Sequence, residues 1–333
     1  MAFGRVFIQE LKETVQSRAQ RGEALTGILF AMPWFIGLAA FTAFPILFSV
    51  VLAFHKWDPY DPINERVFVG FANFRRAFFD DPLVWISMYN TFYYAVFVVP
   101  LGLAMSLALA MLLNQKVRGI YIYRTLFYIP TIVGGVATAV LWFYIFNGRF
   151  GALNTGIRAI NKLIDATYIF AWIELPEPYW LSEPAYAKPA LIIMALWGAG
   201  GGTMLVFLAG LQGVPRHLYE VAQLDGAGRF RQFWNVTLPM ITPTIFFNFI
   251  MGMIVAMKVF LQAYVMGGIN AKGGVDNSLM FYALYIYKKA FLHFEMGYAS
   301  ALAWILFVII MTFSLIVIKS SPLWVYYEGE RKR

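Results

Sequence analysis

Residues able to make or break bonds are scarce in this chain. His55, His217 and His293 are its only histidines, and they lie far apart in sequence. There is no cysteine, which excludes disulfides, thiol chemistry and thiolate metal sites. No HExxH phrase and no GxSxG elbow occurs. The glycine phrases starting at Gly226 and Gly267 lack the Lys-Ser/Thr that completes a phosphate loop. ATP binding of that kind is therefore not expected of this chain, and neither is enzyme activity. What remains is chemistry of recognition. Lys258 and Gln262, with Asn248, are polar groups inside an apolar run. At a spacing of four, Lys258 and Gln262 would share a helix face and offer donors and acceptors to a polyol. A lysine reaching out to the membrane surface is the competing reading.

The elements that must position these groups are membrane spans. Of 333 residues, 60% are hydrophobic and 13% charged, about half the charge of a soluble domain. The expected fold is all-α, a polytopic membrane protein with six spans. These are roughly 27–54, 91–113, 123–146, 190–211, 241–265 and 297–318, each long enough to cross the hydrocarbon core. Residues 1–25 carry an apolar stripe among basic residues and read as a cytoplasmic segment, either a surface helix or a frayed tail. Residues 26–320 form the six-span unit, and 321–333 a cytoplasmic tail. Lysine and arginine set the orientation. The side holding both termini and the loop around Glu220 has fourteen basic and seven acidic residues, and the other side eleven of each. The first side is therefore expected to face the cytoplasm. In a membrane protein the net charge of +8 speaks to orientation and gives no reason to expect nucleic acid.

One polar stretch between two spans stands out, EVAQLDGAGRFRQFWNVTLP from Glu220 to Pro239. Pro215 suits the first turn of a helix, and Asp225-Gly226 is a stop signal. Phe230, Phe233, Trp234 and Thr237 then recur at helical spacing. The spacing predicts two short helices around a knuckle at Gly226-Ala227-Gly228, the second ended by Pro239. The small Ala222 would let another surface come close. A plain connector is the alternative.

Glu220, Ala222, Gly226, Val236, Leu238 and Pro239 together resemble the Glu-Ala-Ala loop of binding-protein-dependent ABC importer permeases, carbohydrate-uptake (maltose-type) branch. Val221 stands where that pattern has alanine, and Val236 where it has isoleucine. Supporting phrases lie outside: Gly70, Asn73 and Phe74, then Asn154, then Gly297 to Ala301. The resemblance covers about residues 26 to 320. It implies that residues 215–239 are the coupling helices that dock on a cytoplasmic ATPase. It also implies two ATP-binding subunits that hold the ATP and Mg, a second permease subunit, and an extracytoplasmic solute-binding protein. No cofactor is expected on this chain. The implied activity is import of a sugar or oligosaccharide. The alternatives are another solute such as glycerol phosphate, or an ion-coupled secondary transporter. The latter would want intramembrane carboxylates, and the expected spans contain no Asp or Glu.

The fourth span carries Trp197, then Ala199, Gly200, Gly201, Gly202 and Thr203, with Gly198 beside them. So many glycines are costly in a helix, and a broken span points to a transport site. Close packing of helices through small residues is the other reading. Gly134-Gly135 is a weaker version in the third span. The resemblance places sugar contacts near Ala199, Gly202, Val255, Ala256 and Val259. The expected pathway is thus Trp197, the run from Ala199 to Thr203, and the fifth span at Val255, Ala256, Lys258, Val259 and Gln262. Its fifth-span part is expected on one helix continuous from near Pro239.

Overall fold

The computed structural model describes residues 18–60, 62–115, 117–167, 174–268 and 272–326. The first span is α1 (Arg18–Leu38), a π turn (Ala39–Ala43) and α2 (Phe44–Ala53). The expected surface helix over 1–25 lies mostly outside the described residues, and its last part, from Arg18, continues directly into α1. A two-residue antiparallel pair follows, β1 (His55–Lys56) with β2 (Val67–Phe68). Then comes α3 (Ala72–Arg75) with a π turn (Arg76–Asp80).

The second span, α4 (Pro82–Leu113), starts well before the expected Thr91. Asp81 caps it, its Oδ1 accepting from the Leu83 N–H at 3.2 Å, and Pro82 supplies a preset first turn. Polar Ser87 and Asn90, ahead of the expected span, and Thr91 at its start are buried inside the protein. Asn90 donates to the carbonyls of Asn277 and Met280, and the Thr91 hydroxyl accepts from the Tyr282 N–H.

The third span is two helices, α5 (Ile120–Ile132) and α6 (Gly135–Ile145), bent by 93° at Val133-Gly134. Outside it lies α7 (Ala152–Thr167). The fourth span is α8 (Pro184–Trp197), a 3-10 turn (Gly198–Gly200) and α9 (Gly202–Gly213), with a bend of 47°. The loop helices are α10 (Arg216–Leu224), α11 (Arg229–Gln232), a π turn (Phe233–Thr237) and α12 (Leu238–Met240). Pro239 does not end a helix, contrary to expectation. It sits in the first turn of α12, where the widened π turn before it removes the need for the N–H that proline lacks.

The fifth span, expected as one helix, is α13 (Thr242–Ala256) and α14 (Leu261–Met266) with a break at 257–260. Phe260, at φ −132° and ψ −60°, leaves the helical region. Nothing local marks this break. Met257 and Val259 are buried in the core while Leu261 seats against Gly135, so packing overrides local preference. Then come α15 (Tyr282–Tyr287), a π turn (Lys288–Leu292) and the last span, α16 (Met296–Trp324), which runs past the expected Ile318. Among the described residues, four helical stretches are long and apolar enough to cross a membrane, counting Thr242–Met266 as one, and six spans result when each bent pair counts as one.

The unbroken α4 is the hub; α8, α9, α13 and α15 all pack on it. Two buried clusters result. One surrounds Tyr94, Leu191, Phe281, Tyr282 and Leu302; the other surrounds Ala110, Met204, Phe207, Leu211 and Ile241. Small residues let the spans approach, as lipid-embedded packing requires. A Cβ on Gly252 would lie 3.2 Å from Val99, and one on Gly210 2.6 Å from the Thr244 hydroxyl. The start of α16 touches the end of α2 through Gly297, where any Cβ would overlap the His55 carbonyl oxygen.

A charged network ties this end of the bundle together. Oδ2 of Asp81 accepts from the hydroxyls of Tyr285 at 2.5 Å and Tyr298 at 2.8 Å. Glu295 pairs with Arg76 at 3.0 Å and Lys289 at 3.5 Å. Burial of Arg76 opposes its charge, but Glu295 outweighs this and holds its pKa above the usual guanidinium value. Asp81 thus joins α4, α15 and α16 and caps the first of them. Asp81→Ala should destabilise the fold by on the order of 3 kcal/mol. A clear drop in the thermal unfolding midpoint in detergent checks this; an unchanged midpoint would show the network to be dispensable.

Candidate functional site

The loop between the fourth and fifth spans forms the first candidate surface. Helix α10 ends in a Schellman cap. The Gly226 N–H donates to the Gln223 carbonyl at 3.0 Å, and the Ala227 N–H to the Ala222 carbonyl at 2.9 Å. Gly226 holds φ +74°, the left-handed geometry this cap needs. The Gln232 side chain then donates to the Ala227 carbonyl at 2.7 Å, closing the knuckle onto α11. The pair is anchored at its base. Tyr219 and Thr237 share a hydroxyl–hydroxyl bond of 3.0 Å, and Val236 packs on the cluster around Phe207 and Ile241. Leu238 and Pro239 are half-buried beside it, and Glu220 is exposed.

The tip is apolar and open. Leu224 is 87% exposed, Phe230 77%, Val221 54% and Trp234 51%. Phe230 and Trp234 stand edge to face on one side of the second helix, with centroids 6.1 Å apart. Four large apolar side chains on one short loop, held by caps and hydrogen bonds, form an organised patch of the kind that marks an interaction site.

The second candidate is a chamber of about 340 Å³ between α4, the fourth-span break and the fifth span. It brings together Ala199, Thr203, Val255, Ala256 and Gln262 from the expected pathway. It adds Tyr94, Gly102 and Ser106 of α4, then Gly198, Asn248 and Gly252. Among the described residues, the lining includes hydroxyls and amides but no charged side chain.

Other expected pathway residues lie elsewhere. Gly200 and Gly201 press on the Phe127 carbonyl and the Thr131 methyl of α5, so they serve packing. Gly202 is exposed, with open space where a Cβ would be. Trp197 meets Trp142 edge to face at 6.1 Å. Val259 is buried in the core, and Lys258 is exposed in the fifth-span break. Lys258 and Gln262 do not share a helix face, because the helix is interrupted between them.

The family model described as the binding-protein-dependent transport system inner membrane component matches residues 98–320, a range that includes the loop and, apart from Tyr94, the chamber lining. The chain belongs to this family. The permease is 38% identical to the probable ABC transporter permease protein YesP of Bacillus subtilis, over 95% of this chain and 97% of the relative. It is 31% identical to the diacetylchitobiose uptake system permease protein NgcF of Streptomyces coelicolor, over 90% of this chain and 83% of the relative. Among solved structures, a bacterial ABC transporter involved in import of the acidic polysaccharide alginate matches with a TM-score of 0.73. That match covers 92% of this chain and 99% of the other at 22% identity, and it speaks for the fold.

Within the permease, the phrases around Asn73 and Asn154 turn out to be structural clamps. Asn73 donates to the carbonyls of Ala53 and His55 at the end of the first span. Asn154 donates to those of Gly148 and Pro178 and accepts from Trp180. The second span's share in the chamber was missed in sequence. Its signal was there: Gly102 and Ser106 are small or polar residues inside an apolar run, where such residues face a cavity or a neighbouring helix. Among the described residues, no group of three or more His, Asp or Glu side chains gathers to hold a metal.

Proposed function

We propose that this permease is one half of the membrane channel of an ATP-driven importer, and that its cargo is an uncharged sugar or oligosaccharide. An extracytoplasmic binding protein delivers the solute. A second, related permease subunit completes the pathway, and two ATPase subunits dock on the loop around Gly226. That loop and both termini face the cytoplasm, as the basic residues favour. ATP and Mg belong to the ATPase subunits.

The observation that carries the solute class is the chamber lining. It offers the Thr203 hydroxyl and the Gln262 amide, backed by the largely buried Tyr94 and Asn248, while the Ser106 hydroxyl is engaged with the Ala199 carbonyl. These suit hydroxyl-rich, neutral molecules. A phosphate ester such as glycerol phosphate calls for a lysine or arginine, which this lining lacks. The named substrate of the diacetylchitobiose relative agrees with a sugar. So does the side-by-side supply of apolar wall and hydrogen-bonding groups.

The test is reconstitution. The complex is purified with its partner subunits, counted, and placed in proteoliposomes with ATP and the binding protein. Uptake of a neutral sugar should require ATP, resist proton uncouplers and need a second permease chain. Uptake driven by an ion gradient without ATP would overturn the reading.

A further inference from the structure

The break in the fourth span needs a partner for the carbonyl it frees. Helix α8 with its 3-10 turn ends at Gly200, and α9 restarts at Gly202. In an unbroken helix the Ala199 carbonyl would accept from the N–H four residues on, and the break removes that donor. An unmet carbonyl at membrane depth is costly. Here the Ser106 hydroxyl of α4 supplies the missing donor, at 2.7 Å. Ser106 is only 1% exposed. On the other flank, Gly200 and Gly201 rest on Phe127 and Thr131 of α5. Gly135, at the third-span bend, in turn meets Leu261, just past the fifth-span break. The three breaks therefore touch in series, and Ser106 fastens them to the unbroken α4. Both Ser106 and Ala199 line the chamber.

We propose that Ser106 is a positioning residue for solute passage: its hydroxyl holds the fourth-span break, and with it one chamber wall, in the shape that transport uses. This rests on the reading of the chamber as the pathway. A serine whose oxygen only filled space could be replaced by any residue of similar size. A serine that holds a carbonyl requires the hydroxyl.

The experiment compares Ser106→Ala and Ser106→Thr in the reconstituted complex, reading solute taken up per ATP hydrolysed. Ser106→Ala should lower that ratio about fivefold, the effect of losing roughly one hydrogen bond. Ser106→Thr, which keeps the hydroxyl, should restore it. The proposal is overturned if Ser106→Ala transports as well as wild type, or if both variants fall equally. It is also overturned if Ser106→Ala fails to assemble while Ser106→Thr assembles, since the hydroxyl would then serve folding. Val255→Trp in the same assay separates this from the pathway reading. Normal uptake there removes the chamber itself. Blocked uptake there, with Ser106→Ala normal, removes only the role of Ser106.

Discussion

Replacing Gly226 by valine should cut ATP-driven uptake by roughly tenfold or more, while the chain still inserts and packs. The residue holds φ +74° at the end of α10. A β-branched side chain in that conformation is strained, at about 1–2 kcal/mol. Space is not the obstacle, because a Cβ there would meet nothing within 4 Å. Backbone geometry is. Relief of the strain would undo the two cap hydrogen bonds from Gly226 and Ala227 and swing α11 away from α10. Leu224 and Phe230, one on either side of the knuckle, would then lose their common surface. Asparagine tolerates the left-handed region better, so Gly226→Asn should retain clearly more uptake than Gly226→Val. Uptake and co-purification of the ATPase subunit, measured for wild type and both variants, check this order. Equal uptake in Gly226→Val and wild type would remove the loop from the coupling path.

Filling the chamber should be as damaging. Gly198→Leu and Val255→Trp should each reduce uptake by roughly tenfold or more with the complex still assembled. Gly198 lines the chamber, and a Cβ built on it meets nothing within 4 Å, so the added side chain enters open volume. Val255 lines it too and is 64% exposed, so an indole in its place takes up open volume without displacing core. The chamber is only about 340 Å³, and either change takes a large part of it. The readouts are initial uptake rate and the amount of intact complex. Normal uptake in both variants would place the pathway elsewhere and leave this cavity a packing defect.

Gly226 and the chamber differ in how far they could be read in advance. The cap at Gly226 was legible because a Schellman ending depends on one residue's freedom at positive φ and on bonds to neighbours three to five positions away. Membrane character and the count of six spans were legible for a similar reason, since hydropathy accumulates over about 20 consecutive residues. The glycine run at 198–202 announced a broken helix, and the helix does break there. Its role was not legible. Gly200 and Gly201 face α5, Gly198 faces the chamber, and Gly202 faces open space. Four neighbouring glycines thus meet three surroundings, which depend on elements more than fifty residues away.

The fifth span shows the limit most clearly. Apolar Ile241 to Val265 satisfies every local criterion for one helix, yet it breaks at 257–260 because Met257 and Val259 are taken into the core. That break separates Lys258 from Gln262 and leaves only the second at the chamber. Ser106 carries the same lesson in reverse, since its partner Ala199 lies ninety-three positions on. Backbone preference and hydropathy are properties of neighbouring residues, so the chain alone determined its membrane class, its spans and the loop's cap. Which side of each span meets another helix, a cavity or lipid is a property of packing between distant segments, and only the tertiary structure decided it.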